Sequence, residues 1–517
     1  MTGFINYPLL WPLVITFVAP FAIMLMGRNK NIREGISFVA ATLAFLAVAR
    51  FIPDVLNGII NKQVLFNILP GLSLSLCLDG LGIIFALIAP FLWCFATSYN
   101  IGYMRKLNEH AQTRYYFCFG IAIFGAVGVA MSANVFTLYF FYEIISIFTY
   151  PLVAHHEDEE SFAGAKKYMI YLMGTSKLFL LPAMALTYIL SGNLDFSLGE
   201  INRGMFLSHD GTFKTTLATA HPWLIQLTYG LYIAGLAKAA LMPFHNWLPS
   251  AMVAPTPVSA LLHAVAVVKA GVFSVSRIIL SGFGAQIMHD FGLSLTTAYL
   301  AAFTIVVASF IALTKDDLKA RLAYSTVSQL SYVIIGVALV GASTLSEGTT
   351  FTANLIAAQG GLLHIGHHAF GKITLFFGAG AIYVATHLRS IKKMNGLGRK
   401  MPWTFGAFGL ASLTMIGIPP VAGFVSKWYL LNGAVNAGQI LLMAALLAST
   451  ILNAGYFAPI FIRAFFYKPD PDIDLDHYHE APLTMVVPLV FTSLVSLTLG
   501  LYPQIFQKFI QAFLGLR

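Results

Sequence analysis

Five lysines stand inside stretches of the sequence that are otherwise apolar. They are Lys177, Lys238, Lys269, Lys372 and Lys427. A charged side chain at the centre of a bilayer costs about 3 kcal/mol on insertion scales, so a set of five indicates a function. A buried amine holds its proton less tightly than one in water, and a nearby carboxylate restores the affinity. Such amines can load and release protons. A single member, Lys177 above all because it lies close to Lys167, can instead be a snorkelling or structural charge.

Titratable partners occur in the same kind of segment. Glu143 lies in YFFYEIISIFTYPL, and HIGHHAFGK places His364, His368 and Lys372 at i, i+4 and i+8 on one helix face. Successive members lie about 6 Å apart along the axis, and imidazole passes protons between its two nitrogens near neutrality. The spacing predicts a proton relay with intervening water. A metal site that includes His367 is the alternative, but no carboxylate follows nearby, so we predict none.

A second histidine and lysine share the segment LLHAVAVVKAG. His263 and Lys269 are six residues apart and point in different directions from a helix. The two side chains can line one water-filled path only if that helix is buried on both sides. Hydroxyl-bearing residues flank these sites, as in AYSTVSQLSY (323–332). Such residues mostly bond to neighbouring helices or water, and we assign them no specific role.

Prolines interrupt two of the segments that carry lysines. Lys238 precedes Pro243 in GLAKAALMPFHNWLP, whereas Pro419 and Pro420 precede Lys427 in GIPPVAGFVSKWYLL. Proline removes a helical hydrogen bond, and the freed backbone is tolerated at membrane depth only inside protein or beside water. Paired interrupted helices point to an ion path in a transporter. Two unrelated proline kinks are the alternative.

Composition shows which elements must position these residues. The chain has 517 residues, of which 58% are hydrophobic and 10% charged, whereas a soluble domain carries roughly 25% charged residues. This predicts an all-α integral membrane protein. About fourteen spans of roughly 20 apolar residues can be placed, at 7–26, 34–52, 78–99, 115–131, 134–153, 166–190, 223–244, 252–281, 291–314, 321–342, 354–386, 403–432, 437–466 and 481–503.

The interrupted spans are the seventh and the twelfth, which suggests an internal repeat. An offset of five spans reverses topology, so we predict two inverted five-helix repeats, each with one broken helix. The predicted organisation is helices 1–3 (1–114), helices 4–8 (115–281), helices 9–13 (291–466) and helix 14 (467–517).

Basic residues predict the orientation in the membrane. Eighteen lysines and arginines fall in loops after odd-numbered spans and seven, among them Arg277, on the other side. The richer side is expected to be cytoplasmic, which puts both termini outside. The net charge of +9 comes from short clusters between spans, so it does not indicate nucleic acid.

The remaining features predict no cofactor. Cys77, Cys94 and Cys118 lie in or beside apolar spans without CxxC spacing. The polar stretches HHEDEES (155–161) and KPDPDIDLDHYHE (468–480) could bind a metal or a partner, but we interpret both as solvated loops. Ser161 has the character of a helix N-cap.

Three stretches carry a family resemblance: KAALMPFHNWLPSAMVAPTPVSALLHA (238–264), DDLKARLAYSTVSQLSY (316–332) and HIGHHAFGK (364–372). They resemble the proton-translocating antiporter-like subunits shared by respiratory complex I, Mrp-type cation/proton antiporters and membrane-bound hydrogenases. The resemblance runs from LDGLG (78–82) through FVSKW (424–428).

The resemblance implies roles for the residues above. Glu143 is similar to the fifth-helix glutamate that pairs with the broken-helix lysine, here Lys238. The other positions correspond to successive parts of the path: His263 and Lys269 in the eighth helix, His364, His368 and Lys372 in the central relay, and Lys427 at its end. Asp79 matches a family aspartate without an assigned role, and Lys177 matches none.

The resemblance also implies a large assembly. We expect a D-like subunit of a cation/proton antiporter, or of a related redox-driven pump, working with other membrane subunits, the bilayer, protons and Na⁺ or K⁺. The chain ends at Arg517 without the lateral helix of the distal complex I subunit, which argues against that identity. A membrane subunit of an inorganic-carbon uptake system and a stand-alone secondary transporter are the alternatives. Covalent catalysis by this chain itself is not expected.

Overall fold

Long helices dominate the computed structural model, which describes residues 7–342, 352–469 and 475–516. Within these ranges twelve helical segments are long and apolar enough to cross a membrane. They correspond to twelve of the predicted spans, most ends agreeing to about four residues and three helices extending seven to nine residues further at one end. The segments are Pro8–Leu25, Lys30–Leu56, Gly80–Lys106, Gln112–Ala130, Val135–Val153, Glu159–Ser191, Thr256–Asp290, Leu293–Thr314, Leu318–Gly341, Leu355–Thr386, Ile440–Phe466 and Leu483–Leu501. The helical membrane class is confirmed.

Labelled in chain order, the α-helices of the described residues are α1 (Trp11–Leu25), α2 (Lys30–Ala49), α3 (Ile52–Leu56), α4 (Gly80–Lys106), α5 (Gln112–Ala130), α6 (Val135–Val153), α7 (Glu159–Thr175), α8 (Leu181–Ser191), α9 (Thr216–Ala220), α10 (Trp223–Gly235), α11 (Trp247–Ser250), α12 (Thr256–Ala260), α13 (Val267–Arg277), α14 (Gly284–Asp290), α15 (Leu293–Thr314), α16 (Leu318–Ala338), α17 (Leu355–Thr386), α18 (Pro402–Ile416), α19 (Ala422–Asn436), α20 (Ile440–Phe466), α21 (Leu483–Leu501) and α22 (Gln504–Leu514).

The seventh and twelfth predicted spans are interrupted, as their prolines suggest. In the first, α10 ends at Gly235 and a 3₁₀ turn, Ala237–Ala239, replaces the helix before Pro243 is reached. In the second, α18 ends at Gly417, which adopts a left-handed conformation (φ 88°), and α19 begins after the prolines. Left-handed glycine is a common helix terminator because it has no Cβ to clash. In both sets of five spans the break falls in the fourth, but the inverted repeat and the total of fourteen helices stay predictions.

Side-chain caps fix where several helices begin. The carboxylate of Asp79 accepts from the backbone N–H of Gly82 at the start of α4, and Asp158 accepts from Ser161 at the start of α7. Ser161 returns a contact to Asp158, because its hydroxyl accepts from the Asp158 N–H. The cap of α7 is therefore Asp158, and the assignment of Ser161 as the cap was wrong by three residues. The pair forms a capping box, in which the third helical residue reaches back to the cap.

A β-hairpin lies between the second and third spans, where only a loop was expected. Strand β1 (Asn61–Leu69) pairs antiparallel with β2 (Leu72–Leu78), and Gly71 makes the turn with φ 73°. The alternation in LSLSL was a detectable strand signal. Because β2 becomes buried towards its end, it delivers Asp79 into the interior.

Asp79 meets an arginine that the charge count had assigned to the non-cytoplasmic side. Arg277 ends α13 inside the continuous helical segment Thr256–Asp290, and its side chain is fully buried. Its two terminal nitrogens donate to the two Asp79 oxygens at 2.5 and 2.8 Å. Arg277 lies within the predicted span 252–281, and the helix continues beyond that span through a π-helical turn, Ile278–Phe283. Arg277 is therefore a partner in a buried ion pair and not a loop charge.

A short amphipathic helix, α22, follows the last span. Its apolar side chains, among them Phe506 and Phe513, are buried. Close approach requires glycine on the neighbouring helices: a Cβ on Gly80 would lie 2.1 Å from the Phe509 carbonyl, and one on Gly366 would lie 2.7 Å from the Phe506 ring. α22 is thus packed against α4 and against the helix that carries the central histidines.

We predict that Asp79→Asn destabilises the protein far more than loss of an exposed carboxylate does. Breaking a buried ion pair costs about 3–5 kcal/mol, because the remaining charge is left uncompensated. Asp195→Asn is the matched control, since Asp195 pairs with Lys62 while its side chain is 43% exposed. Such a pair contributes up to about 1 kcal/mol. Thermal unfolding in detergent should show a clearly larger loss for Asp79→Asn, and equal losses would contradict the prediction.

Candidate ion-relay site

Glu143 lies on α6, close to the lateral surface of the helix bundle, and it forms an ion pair with Lys177. The Lys177 ammonium donates to one Glu143 oxygen and to the Tyr139 hydroxyl, each at 2.6 Å. Ser176 donates to the other Glu143 oxygen at 2.5 Å. Lys177 and Ser176 belong to a π-helical turn, Ser176–Leu180, that continues α7. The side chain of Lys177 is 46% exposed and that of Glu143 only 10%.

The expected pairing of Glu143 with Lys238 is not what the structure has. Lys238 is fully buried in the 3₁₀ turn of the first broken segment. Its ammonium donates to the Tyr142 carbonyl at 2.7 Å and lies 3.1 Å from the centroid of the Tyr142 ring. Because Tyr142 and Glu143 are adjacent on α6, Lys238 approaches the same stretch of backbone as the carboxylate without pairing with it. Lys177, which matched no family role, takes that place.

The broken segment can sit where it does because of a glycine on α13. A Cβ on Gly271 would lie 2.3 Å from the Ala239 nitrogen and 2.3 Å from the Lys238 carbonyl carbon. Any side chain there would push the turn away, since real Cβ atoms do not approach backbone so closely. Gly271 therefore holds the Lys238 turn against the helix that carries Lys269.

Lys269 connects the eighth predicted span to the eleventh. Its ammonium lies 2.8 Å from Nδ1 of His368, on α17. His263 precedes it in a π-helical turn, Leu261–Val265, with its ring centroid 4.6 Å from that of Phe376. Every residue from Thr256 to Arg277 is buried. The condition that the helix be buried on both sides is therefore met.

His368 and His364 follow one another along α17 towards the second broken segment. Their rings are tilted, with the centroids 6.1 Å apart. His364 contacts the Ser426 hydroxyl through Nδ1 at 2.9 Å and the Gln329 carbonyl oxygen through Nε2 at 3.0 Å. The Gln329 amide nitrogen donates in turn to the Met415 carbonyl at 3.3 Å. His364 is thereby linked to the end of α18.

Lys372 reaches the same carbonyl by a second route. Its ammonium donates to the Ser325 hydroxyl at 2.8 Å, and the Tyr456 hydroxyl donates to the same oxygen at 2.9 Å. Tyr456 also contacts the side-chain oxygen of Asn453, whose nitrogen donates to the Met415 carbonyl at 3.3 Å. Two hydrogen-bonded branches therefore converge on Met415.

Lys427 lies where the two branches meet. Its ammonium donates to the carbonyls of Met415 at 2.8 Å and Ile416 at 3.0 Å, both in the last turn of α18. These are the carbonyls that a helix end leaves without internal partners, and they carry its negative dipole end. The Tyr332 ring covers the amine, with its centroid 4.6 Å away. The broken helix thus supplies the acceptors that a buried ammonium requires.

The structure brings most of the predicted relay residues into two buried groups. His364, Lys372 and Lys427 are linked through their intermediate polar groups around the Met415 carbonyl. Lys269 and His368 form a separate pair, in which the His368 ring centroid lies 6.1 Å from that of His364. In the described ranges no direct hydrogen bond joins Lys238, His263 or the Lys269–His368 pair to the network around Met415. Sequence reasoning missed the intermediate groups, which are Ser325, Gln329, Ser426, Asn453 and Tyr456. The stretch AYSTVSQLSY contained two of them, but its hydroxyls and amide resemble ordinary helix-packing residues until their partners are known.

Comparison with known proteins places these features in a family. A family model described as "NADH:quinone oxidoreductase/Mrp antiporter, TM" matches residues 132–453. NADH-quinone oxidoreductase subunit N of Desulforudis audaxviator (strain MP104C) is 30% identical over 528 residues, which cover 98% of each chain. The putative antiporter subunit mnhA2 of Staphylococcus haemolyticus (strain JCSC1435) is 31% identical over 84% of this chain. This chain spans about half the length of that relative (52%).

Solved structures show the same fold. The Mrp complex from Dietzia sp. DQ12-45-1b contains a chain that matches with a TM-score of 0.82 at 20% identity, covering 98% of this chain and 96% of that one. A chain of the membrane-bound sulfane sulfur reductase, an archaeal respiratory membrane complex, matches with a TM-score of 0.81 at 22% identity and the same coverage.

We predict that Gly271→Ala destabilises the protein by about 1–3 kcal/mol, the usual cost of overpacking. The added methyl would displace the Lys238 turn. Gly174→Ala is the control, because a Cβ at that helical glycine meets nothing within 4 Å. Thermal unfolding in detergent should separate the two variants, and unchanged stability of Gly271→Ala would contradict the close packing of the turn.

Proposed function

The chain belongs to the NADH:quinone oxidoreductase/Mrp antiporter transmembrane family, and we propose on that basis that it is a proton-translocating subunit of a multisubunit cation/proton antiporter or a related redox-driven pump. It is a multi-pass membrane protein. The asymmetry of its basic loops supports a place in the cytoplasmic membrane of the cell with both termini outside.

One observation carries the proposal. Four lysines are buried, and their ammonium groups bond to carbonyls, hydroxyls or imidazole instead of carboxylates; they are Lys238, Lys269, Lys372 and Lys427. A structural ion pair would leave a buried carboxylate uncompensated if its lysine lost a proton. An amine held by neutral groups can release and regain its proton without that penalty. The set therefore suits transfer of protons better than permanent charge.

Exchange of partners by Glu143 would drive the first transfer. Opposite charges about 4 Å apart interact by roughly 4 kcal/mol at an effective dielectric of 20. That energy changes a proton-binding equilibrium by about a thousandfold. With Glu143 held by Lys177, as here, Lys238 lacks this support and is prepared to release its proton. Movement of the carboxylate towards Lys238 would favour its reloading.

The released proton would pass through the central network. Water would carry it from Lys238 past His263 to Lys269, where the contact with His368 is direct. The two histidines then take it towards Lys427, and Lys372 offers a parallel branch through Ser325 and Tyr456. The amides of Gln329 and Asn453 cannot carry a proton themselves, and they serve to orient His364 and Tyr456 beside the Met415 carbonyl, so that water completes the transfer from either branch to Lys427. Departure from Lys427 completes the transfer.

An exposed ammonium in the membrane region supports a neighbouring subunit. Lys177 is 46% exposed, and Phe140 and Ile147 on the same helix as Glu143 are also exposed. A charge on a lipid-facing surface is costly unless protein or water covers it. We propose that another membrane subunit covers this face and biases the choice of partner made by Glu143. The same proposal includes that this chain is a D-like subunit and that its complex exchanges Na⁺ or K⁺ for the proton.

We expect Lys238→Met to abolish proton transport while leaving the complex assembled. Methionine keeps most of the side-chain volume and removes the ammonium. Transport would be measured with a pH-sensitive dye in vesicles, and assembly by co-purification of the other subunits. Lys214→Met, which removes an exposed lysine, is the control and should transport normally. Wild-type transport in an assembled Lys238→Met complex would rule out the proposed path.

We expect Tyr456→Phe to slow transport about fivefold, the effect of losing one hydrogen bond worth about 1 kcal/mol. The variant keeps the ring and removes the hydroxyl that links Ser325 to Asn453. Tyr229→Phe also removes a buried hydroxyl, which bonds to Thr297 away from the network, and should leave the rate unchanged. Equal rates in the two variants would exclude the Lys372 branch from the path.

A further inference from the structure

Three metal-binding side chains meet on the side of the membrane that is rich in basic loops. Glu109 and His110 lie between α4 and α5, and His155 follows the end of α6. Each offers one ligand atom, and these atoms all lie within 4.8 Å of one another. Two segments that are separate in the sequence thus bring two imidazoles and a carboxylate close together.

The buried ring of His155 lacks hydrogen bonds, which indicates that it binds a ligand. It is fully buried, yet neither of its ring nitrogens makes a hydrogen bond. Its Nε2 lies 3.6 Å from a Glu109 oxygen, too far for a hydrogen bond. The prediction of a solvated loop over 155–161 was wrong for this residue, because its ring packs against Tyr115 and His110. A buried imidazole normally has a partner, so a bound ion would satisfy this one.

The donor set suits a borderline divalent metal. Imidazole and carboxylate bind Zn²⁺ at about 2.1 Å, which puts the ligands of a tetrahedral site about 3.4 Å apart. The 3.6 Å between His155 and Glu109 already approaches that spacing. The His110 ring stacks on that of His155 with the centroids 4.8 Å apart, so it must rotate before its nitrogen and that of His155 can face one metal ion. Because His110 is exposed, its ring is free to make this rotation and to leave the fourth position open to solvent. Ca²⁺ and Mg²⁺ prefer several oxygen ligands, whereas two of the three side chains here are imidazoles.

The cluster borders a cavity that reaches towards the relay. Glu109 and His156 line a space of about 210 Å³ that extends to Thr256, Lys319 and Arg389. Thr256 begins the helix that leads to His263, and the Lys319 ammonium donates to the Ala254 carbonyl at 2.5 Å. If the proposed function holds, this cavity is an entrance for protons. A metal on Glu109 would add positive charge opposite the two basic side chains.

We propose that Glu109, His110 and His155 form a binding site for a transition-metal dication of the Zn²⁺ type, and that the bound metal inhibits proton entry through the adjoining cavity. The three side chains supply three ligands and water the fourth. The inhibition rests on the proposed function, whereas the binding site does not.

Binding of Zn²⁺ to the purified complex tests the site directly. Competition with a chromophoric chelator should reveal Zn²⁺ binding that His110→Ala and Glu109→Gln weaken by at least about tenfold, since even indirect ligand support is worth that much. Both altered side chains reach solvent, so the fold should tolerate them. His221→Ala is the control, because it removes another exposed imidazole. Equal Zn²⁺ affinity in all four proteins, or none at micromolar Zn²⁺, would overturn the site.

Transport measurements test the consequence. Zn²⁺ should slow proton transport by the wild type and by His221→Ala, and should leave His110→Ala unaffected. Undiminished transport by wild type saturated with Zn²⁺ would overturn the inhibition. Failure of the metal-free wild type to transport protons would count against the proposed function alone, because the chelator assay decides the metal site without it.

Discussion

An ammonium group inside a membrane protein needs an acceptor within hydrogen-bond distance, and this requirement shapes the structure. In a continuous α-helix each mid-membrane carbonyl already accepts from the turn that follows, so only its second lone pair is left. The second broken segment provides carbonyls without helical partners by ending α18 inside the protein, and Lys427 binds two of them. Lys238 instead shares the Tyr142 carbonyl of the continuous helix α6 and lies against the face of the Tyr142 ring. The second break and the buried amine of Lys427 therefore explain each other, whereas the first break brings Lys238 to an acceptor on another helix.

The two broken segments use this solution differently. Lys238 lies within its break, next to the helix that carries the Glu143 carboxylate, whereas Lys427 lies in the regular helix α19 and reaches back to the break. The first arrangement suits a lysine whose electrostatic surroundings change. The second has fixed dipoles and suits a terminal position. Between the two broken segments, α17 carries His368, which contacts Lys269. It also carries His364 and Lys372, from which the two hydrogen-bonded branches lead to Met415.

Irregular helical turns occur beside several of these charged side chains, between residues 176 and 283. π-Helical turns hold Lys177 and His263, and another directly follows Arg277. A π-helical turn inserts an extra residue and rotates the side chains that follow, which often occurs at functional sites. The turn Ser176–Leu180 directs the side chain of Lys177 towards Glu143 on the neighbouring helix α6. The buried pair of Asp79 and Arg277 anchors the segment Thr256–Asp290, which also carries His263. The hairpin and α22 cover this pair.

The sequence by itself determined the membrane class, the approximate spans, the two breaks and which titratable side chains the spans carry. Hydrophobic run length, proline and the i, i+4, i+8 spacing on α17 are local properties of the chain, so they can be read without a fold. The tertiary structure alone decided that Glu143 pairs with Lys177, that Arg277 is buried beside Asp79, and that His155 is enclosed next to Glu109. The cost of burying a charge depends on its own segment, but the acceptor it finds depends on packing between segments far apart in sequence.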